Sequence, residues 1–147
     1  MALRIVGAES ASALQADPMQ LERTPLERYL RAFMAARSRY AEDELARAIE
    51  RGARQYVVLG AGLDTFAYRN PYPESVLCVF EVDHPMTQAW KRERLGEAGI
   101  SIPNTLTFAP VNFENQTLSE GLRQAHGHPG SVVQGCQGGQ GRLCRFA

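Results

Sequence analysis

The chain has 147 residues, of which 44% are apolar and 22% are charged. This balance is typical of a single folded domain and excludes the disordered and fibrous classes. Sixteen basic side chains offset sixteen acidic ones, so the charge does not favour nucleic acid or a membrane surface as a partner and instead favours a small molecule. No apolar run approaches the roughly 20 residues of a membrane-spanning helix and no signal peptide is recognisable, so we expect a cytoplasmic protein.

Two helices are predicted before the first strand. Thr24 is a good N-cap and a proline follows it, so a helix is predicted over residues 25 to about 36. A second helix is predicted over 41–51, with Gly52 where a C-terminal cap is expected. Residues 1–22 have weak periodicity and are expected to form a flexible arm.

Strands and helices then alternate along the chain. Apolar and β-branched runs predict strands over 55–59, 76–82 and 106–111. Helical patterns predict one helix over 85–98, between the second and third strands, and another over 117–124, after the third strand. This alternation predicts an α/β fold in which a parallel sheet is flanked by helices.

The last segment, residues 127–147, differs in composition from the rest. It holds six of the thirteen glycines and two of the three cysteines, and it has no acidic residue. We expect it to be disordered, or to be an aberrant end produced by a shifted reading frame or a truncation. Cys78 is predicted to be buried in a strand, and the three cysteines lack the spacing of a zinc site, so no metal is expected.

A glycine turn follows the first strand and is the most informative local feature. Gly60, Ala61 and Gly62 would let the backbone approach a nucleotide-like ligand closely, although a tight turn without a ligand has the same pattern. Glu81 and Asp83 end the next strand, where an acidic group can accept hydrogen bonds from ribose hydroxyls. Asp83 is the better candidate because it lies nearer the strand's tip, and its alternative role is to cap the helix that follows.

Several strings of the sequence resemble the leucine carboxyl methyltransferase family, whose members include bacterial polyketide carboxyl O-methyltransferases. The strings are ARSRYAEDEL from Ala36, QYVVLGAGLDTFAYR from Gln55, and FEVDHPMTQ from Phe80 with Lys91. They occur in the family's order and at compatible spacing over residues 23 to about 125. The resemblance implies a Rossmann-like domain over 23–126 that binds S-adenosyl-L-methionine and is only the N-terminal part of the family's fold.

The resemblance also implies roles for individual residues. Arg37 would pair with the carboxylate of S-adenosyl-L-methionine through its two-pronged guanidinium, with Arg39 as the second choice. Gly60, with Ala61 and Gly62, would lie beneath the methionine part, and Asp83 would hold the ribose.

The adenine would lie between the residues that follow the third strand, Asn112 and Phe113. The family usually has an aspartate in the first of these positions, so a carboxylate acceptor is replaced by an amide. Asp64 and Arg69 belong to the family string, but a capping role for Asp64 and an ion pair between the two are an equally good interpretation. Lys91 is expected to be a solvated helix residue.

The resemblance therefore predicts an S-adenosyl-L-methionine-dependent O-methyltransferase whose substrate is a small-molecule or peptide carboxylate. No catalytic side chain is expected, because a carboxylate is already ionised near neutral pH. The alternatives are an inactive cofactor-binding fragment and an NAD-dependent oxidoreductase, although the third glycine of a dinucleotide motif is replaced by Thr65. A sheet ending after the third strand would expose 55–59 as an apolar edge, which predicts low solubility, self-association or a partner that completes the sheet.

Overall fold

The computed structural model describes residues 24–126 and the backbone of a strand at 142–146. In chain order the elements are α1 (Pro25–Glu50), β1 (Ala53–Leu59), a turn of 3-10 helix (Phe66–Arg69), β2 (Cys78–Asp83), α2 (Pro85–Glu97), β3 (Leu106–Pro110), α3 (Leu118–His126) and β4 (Arg142–Phe146). The strands form one sheet in the order β3-β2-β1-β4, and all neighbouring pairs are parallel. The predicted α/β architecture, which is that of Rossmann-like methyltransferases, is confirmed.

Helix α1 is continuous over 26 residues, so the prediction of two separate helices was wrong. It begins with a capping box: the Glu27 amide donates to Thr24 Oγ1 at 3.2 Å, and the Thr24 amide donates to Glu27 Oε2 at 2.9 Å. No glycine or proline interrupts residues 37–40, so the backbone continues through them. Its buried residues, Leu45 and Ala48, lie only in the second half.

The sheet is covered on both faces, as expected for parallel strands. Helix α3 lies on one face, in a cluster made of Val57, Cys78, Phe80, Val82, Ala109, Val111 and Ala125. The C-terminal half of α1 lies on the other face, in a cluster made of Leu45, Tyr56, Phe66, Ala67, Leu77, Val79 and Leu106. The predicted burial of Cys78 is confirmed, at 6% exposure. Strand β2 is buried almost throughout, so only its C-terminal tip is available to a ligand.

Strand β4 corrects two expectations about the end of the chain. The prediction that 127–147 has no regular structure is wrong for Arg142–Phe146, which pairs in parallel with β1. Because β4 covers β1, residues 55–59 are not the exposed edge from which self-association was expected. Residues 127–141, and the arm predicted over 1–22, lie outside the described residues.

Candidate cofactor site

The glycine turn lies where β1 ends, and its backbone is held against the tip of β2. The amides of Gly60 and Ala61 both donate to the carbonyl of Val82, at 2.8 and 3.2 Å. Gly60 and Gly62 have φ angles of +62° and +42°, which lie in the left-handed region that residues other than glycine rarely adopt. The turn therefore needs glycine at both positions for its own conformation.

The space beside the turn is open. A Cβ atom added to Gly60 would meet no atom within 4 Å, and one added to Gly62 would meet only the Gly60 carbonyl oxygen, at 3.9 Å. Ala61 is buried, at 5% exposure, so it packs into the protein. Two of the three predicted turn residues thus border open space into which a ligand could approach the backbone.

Asp83 joins the turn directly. Its Oδ2 accepts a 2.6 Å hydrogen bond from the Gly62 amide, and its Oδ1 accepts one of 2.7 Å from the His84 amide. The helix cap is His84, whose Nδ1 accepts from the Met86 amide at 3.3 Å, so the alternative that Asp83 caps α2 is wrong. Each carboxylate oxygen of Asp83 has a second acceptor position, so the group can still accept bonds from two hydroxyls.

The residues after β3 lie at the same edge of the sheet. The Val111 amide donates to the Asp83 carbonyl at 2.9 Å, which brings Asn112 beside the tip of β2. The Asn112 Oδ1 accepts from the Glu114 amide at 3.0 Å and so holds a local turn. Phe113 is 58% exposed, and an exposed ring at this edge can cover one face of a planar group.

The two candidate arginines lie on α1, and both are exposed. Arg39 Nε is 3.0 Å from Asp43 Oδ1, an ion pair along the helix that occupies its guanidinium. Burial raises the pKa of Tyr56 in β1, and the positive charge of Arg37 opposes that rise. Within residues 24–126, no hydrogen bond joins Arg37 to the glycine turn. Among the described residues, the structure therefore brings together the turn, Asp83 and Asn112, but no hydrogen bond joins Arg37 to them.

An ion pair that the sequence did not predict connects α1 to the segment after the turn. A pair between Arg69 and Asp64 was one of two interpretations of the sequence, but Arg69 pairs with Glu42 instead, through Nη1 to Oε2 at 2.9 Å and a second contact between Nη2 and Oε1. The hydrogen bond to Arg69 lowers the pKa of Glu42. The capping role of Asp64 is confirmed, since its Oδ1 accepts from the Phe66 amide at 2.8 Å.

Lys91 is buried, so the prediction of a solvated residue was wrong. It is 1% exposed, and its Nζ lies 2.7 Å from Glu81 Oε2 and 2.9 Å from the Asp64 carbonyl oxygen. Burial raises the pKa of Glu81 to about 7, and the Lys91 charge opposes the rise. Glu81 is therefore buried and paired with Lys91, so Asp83 is the acid that a ligand at the sheet edge could reach. Local sequence patterns could not find this pair, because it depends on how α2 packs against β2.

Two other features, a metal-binding cluster and a membrane-spanning helix, are both absent from the described part of the chain. Residues 24–126 contain no group of three or more histidine, cysteine, aspartate or glutamate side chains that could hold a metal ion. None of the described helices is long and apolar enough to cross a membrane.

Comparisons with known proteins give a family match and several relatives. The family model for leucine carboxyl methyltransferases matches residues 1–133. A Bacillus subtilis protein, named as a candidate S-adenosyl-L-methionine-dependent methyltransferase, is 45% identical over 105 residues, which are 71% of this chain and 34% of that protein. Relatives with the same description occur in Mycolicibacterium paratuberculosis, at 42% identity over 98 residues, and in a Parafrankia species, at 45% over 100 residues; each match covers 65% of this chain and 32% of the relative. The chain thus spans about a third of the length of these relatives.

Proposed function

Since the chain belongs to the leucine carboxyl methyltransferase family, we propose that it binds S-adenosyl-L-methionine at the sheet edge formed by the glycine turn, Asp83 and Asn112. The observation that carries this proposal is the 2.6 Å hydrogen bond between the Gly62 amide and Asp83 Oδ2. It joins the turn to the acid at the C-terminal ends of two neighbouring parallel strands, where open α/β sheets bind nucleotide-like ligands.

The residues at this edge fit the cofactor part by part. The open space beside Gly60 and Gly62 suits the methionine part, and the two carboxylate oxygens of Asp83 suit two ribose hydroxyls. Asn112 and Phe113 would flank the adenine. Arg37 would pair with the cofactor carboxylate, and this assignment rests on the family resemblance rather than on a contact.

The proposed reaction of the whole protein is carboxyl O-methylation of a small molecule or peptide. The bound cofactor supplies a methyl group on a positively charged sulfur. The acceptor carboxylate is already ionised at neutral pH, so the protein needs to orient the two groups and exclude water rather than remove a proton. We accordingly assign no catalytic side chain. A cytoplasmic location remains a prediction that follows from the sequence.

Calorimetric titration of the 147-residue chain with S-adenosylhomocysteine, and separately with NAD, tests the proposal. We expect S-adenosylhomocysteine to bind and Asp83→Ala to abolish that binding, because the ribose loses its acceptor. Glu97→Ala is the matched control, since it removes an exposed carboxylate at the end of α2 that pairs with Arg94. Binding of NAD in place of S-adenosylhomocysteine would support the oxidoreductase alternative, and binding of neither would support an inactive fragment.

A further inference from the structure

The buried ammonium of Lys91 connects the two parts of the chain that border the candidate site. It donates to the Asp64 carbonyl, in the segment that closes the glycine turn, and to Glu81, which lies two residues before Asp83 in β2. Asp64 also donates its own amide to the Ala61 carbonyl at 2.7 Å. A short series of hydrogen bonds therefore runs from the turn through Lys91 to β2.

The surroundings of the ammonium are closed. The Tyr68 ring centroid lies 5.3 Å from Lys91 Nζ, and the Gln88 side-chain amide donates to the Glu81 backbone carbonyl at 2.7 Å. Glu81 and Lys91 are each 1% exposed. Solvent screening is weak at such depth, so both groups stay where their hydrogen bonds hold them.

Stability alone is a poor explanation for this ion pair. Removing two charges from water is costly, and replacing a buried ion pair by apolar residues of similar volume is often neutral or stabilising. A carbonyl bonded to a buried ammonium, in contrast, has a defined position relative to the carboxylate that shares that ammonium. The arrangement therefore suits a role in fixing the position of the Asp64 backbone relative to β2.

We propose that Lys91, paired with Glu81, is a positioning residue for the cofactor site, because it ties the Asp64 carbonyl to β2 and thereby fixes the glycine turn relative to Asp83. This inference rests on the proposed binding of S-adenosyl-L-methionine. Lys91 itself does not touch the ligand. Its effect is transmitted through the backbone of the turn.

The test compares a single and a double variant of the full chain. Lys91→Met leaves Glu81 buried without its partner, so we expect lower stability towards urea and at least about tenfold weaker binding of S-adenosylhomocysteine. Glu81→Leu with Lys91→Met removes both charges, so we expect stability to recover while binding remains about tenfold weaker, because the tie to Asp64 is still missing.

Two further variants complete the comparison. Arg94→Met is the matched control, since it removes a cation of the same helix from an exposed pair with Glu97 at 3.1 Å, and both readouts should stay unchanged. Glu81→Gln keeps an oxygen acceptor for Lys91 and the tie to Asp64, so binding should stay within about threefold of the wild type even if stability changes. Glu81→Gln also keeps the test decisive if the double variant does not fold.

Recovery of both stability and binding in the double variant would overturn the positioning role and leave a purely structural pair. A tenfold loss in Glu81→Gln would do the same, because the tie to Asp64 is retained there. Hydrogen exchange at the Gly62 amide of the ligand-free chain separates this inference from the proposed function. If the wild type does not bind S-adenosylhomocysteine, the proposed function fails, and faster exchange at Gly62 in the double variant still decides whether Lys91 positions the turn.

Discussion

Replacing Gly60 by alanine separates the conformational role of the glycine turn from its proposed role in binding. Gly60 has a φ angle of +62°, and Gly99, which follows α2, has a φ angle of +60°. An added Cβ would meet no atom within 4 Å at either position. The two substitutions therefore impose the same backbone strain, and neither creates a clash.

The expected stability change follows from that strain. A left-handed backbone costs a residue with a Cβ about 1–2 kcal/mol, and the lower entropy of the unfolded chain offsets about 0.4–1 kcal/mol of this. Both Gly60→Ala and Gly99→Ala should thus lower the free energy of unfolding by about 1 kcal/mol, which corresponds to a melting temperature lower by roughly 4 °C. Urea unfolding and calorimetry measure these changes.

The binding change should differ between the two variants. A methyl group on Gly60 would extend into the space proposed for the methionine part of the cofactor, so binding of S-adenosylhomocysteine should weaken at least about tenfold, or 1.4 kcal/mol. Gly99→Ala should bind as the wild type does. Equal losses in both variants, or no loss in Gly60→Ala, would refute the assignment of Gly60 to the cofactor site.

Two further predictions concern the packing and the titration of the fold. A Cβ at Gly121 of α3 would lie 2.1 Å from Val111 Cγ2, so Gly121→Ala should destabilise the protein by about 1–3 kcal/mol despite its better helix propensity. Gly96→Ala in α2, where a Cβ meets no atom within 4 Å, should stabilise it by up to about 1 kcal/mol, and urea unfolding that ranks the two in the opposite order would contradict this packing. Burial raises the pKa of Glu81 from 4.5 to about 7. The folded state therefore holds the proton more tightly than the unfolded state, and stability should fall as pH rises from about 4.5 to about 7 and then level off. In Glu81→Gln, the free energy of unfolding should no longer fall as the pH rises across this range. If it falls with pH as steeply as in the wild type, another group is responsible for the titration.

Features encoded by adjacent residues could be predicted from the sequence. The glycine turn could be predicted from a strand followed by Gly60 and Gly62. The place of Asp83 could be predicted from its position at the end of the next strand. Both features are present in the structure. The cap formed by Asp64 was also predictable, because its acceptor bonds an amide two residues later.

Features that depend on how distant elements pack could not be predicted in the same way. Lys91 looked like one more charge on a polar helix, and only its contact with Glu81 and the Asp64 carbonyl explains its burial. The partner of Arg69 is Glu42, 27 residues away, rather than the nearer Asp64. Strand β4 is likewise defined by its pairing with β1, and not by a pattern of its own.

Nuclear magnetic resonance titration of the 147-residue chain with S-adenosylhomocysteine tests the central claim most directly. Binding at the proposed site predicts saturable shifts of the backbone amides of Gly60, Gly62 and Asn112, with one dissociation constant for all three, while the Gly99 amide stays unchanged. Saturable shifts confined to other parts of the chain would contradict the site. The absence of any saturable shift would contradict cofactor binding by this chain.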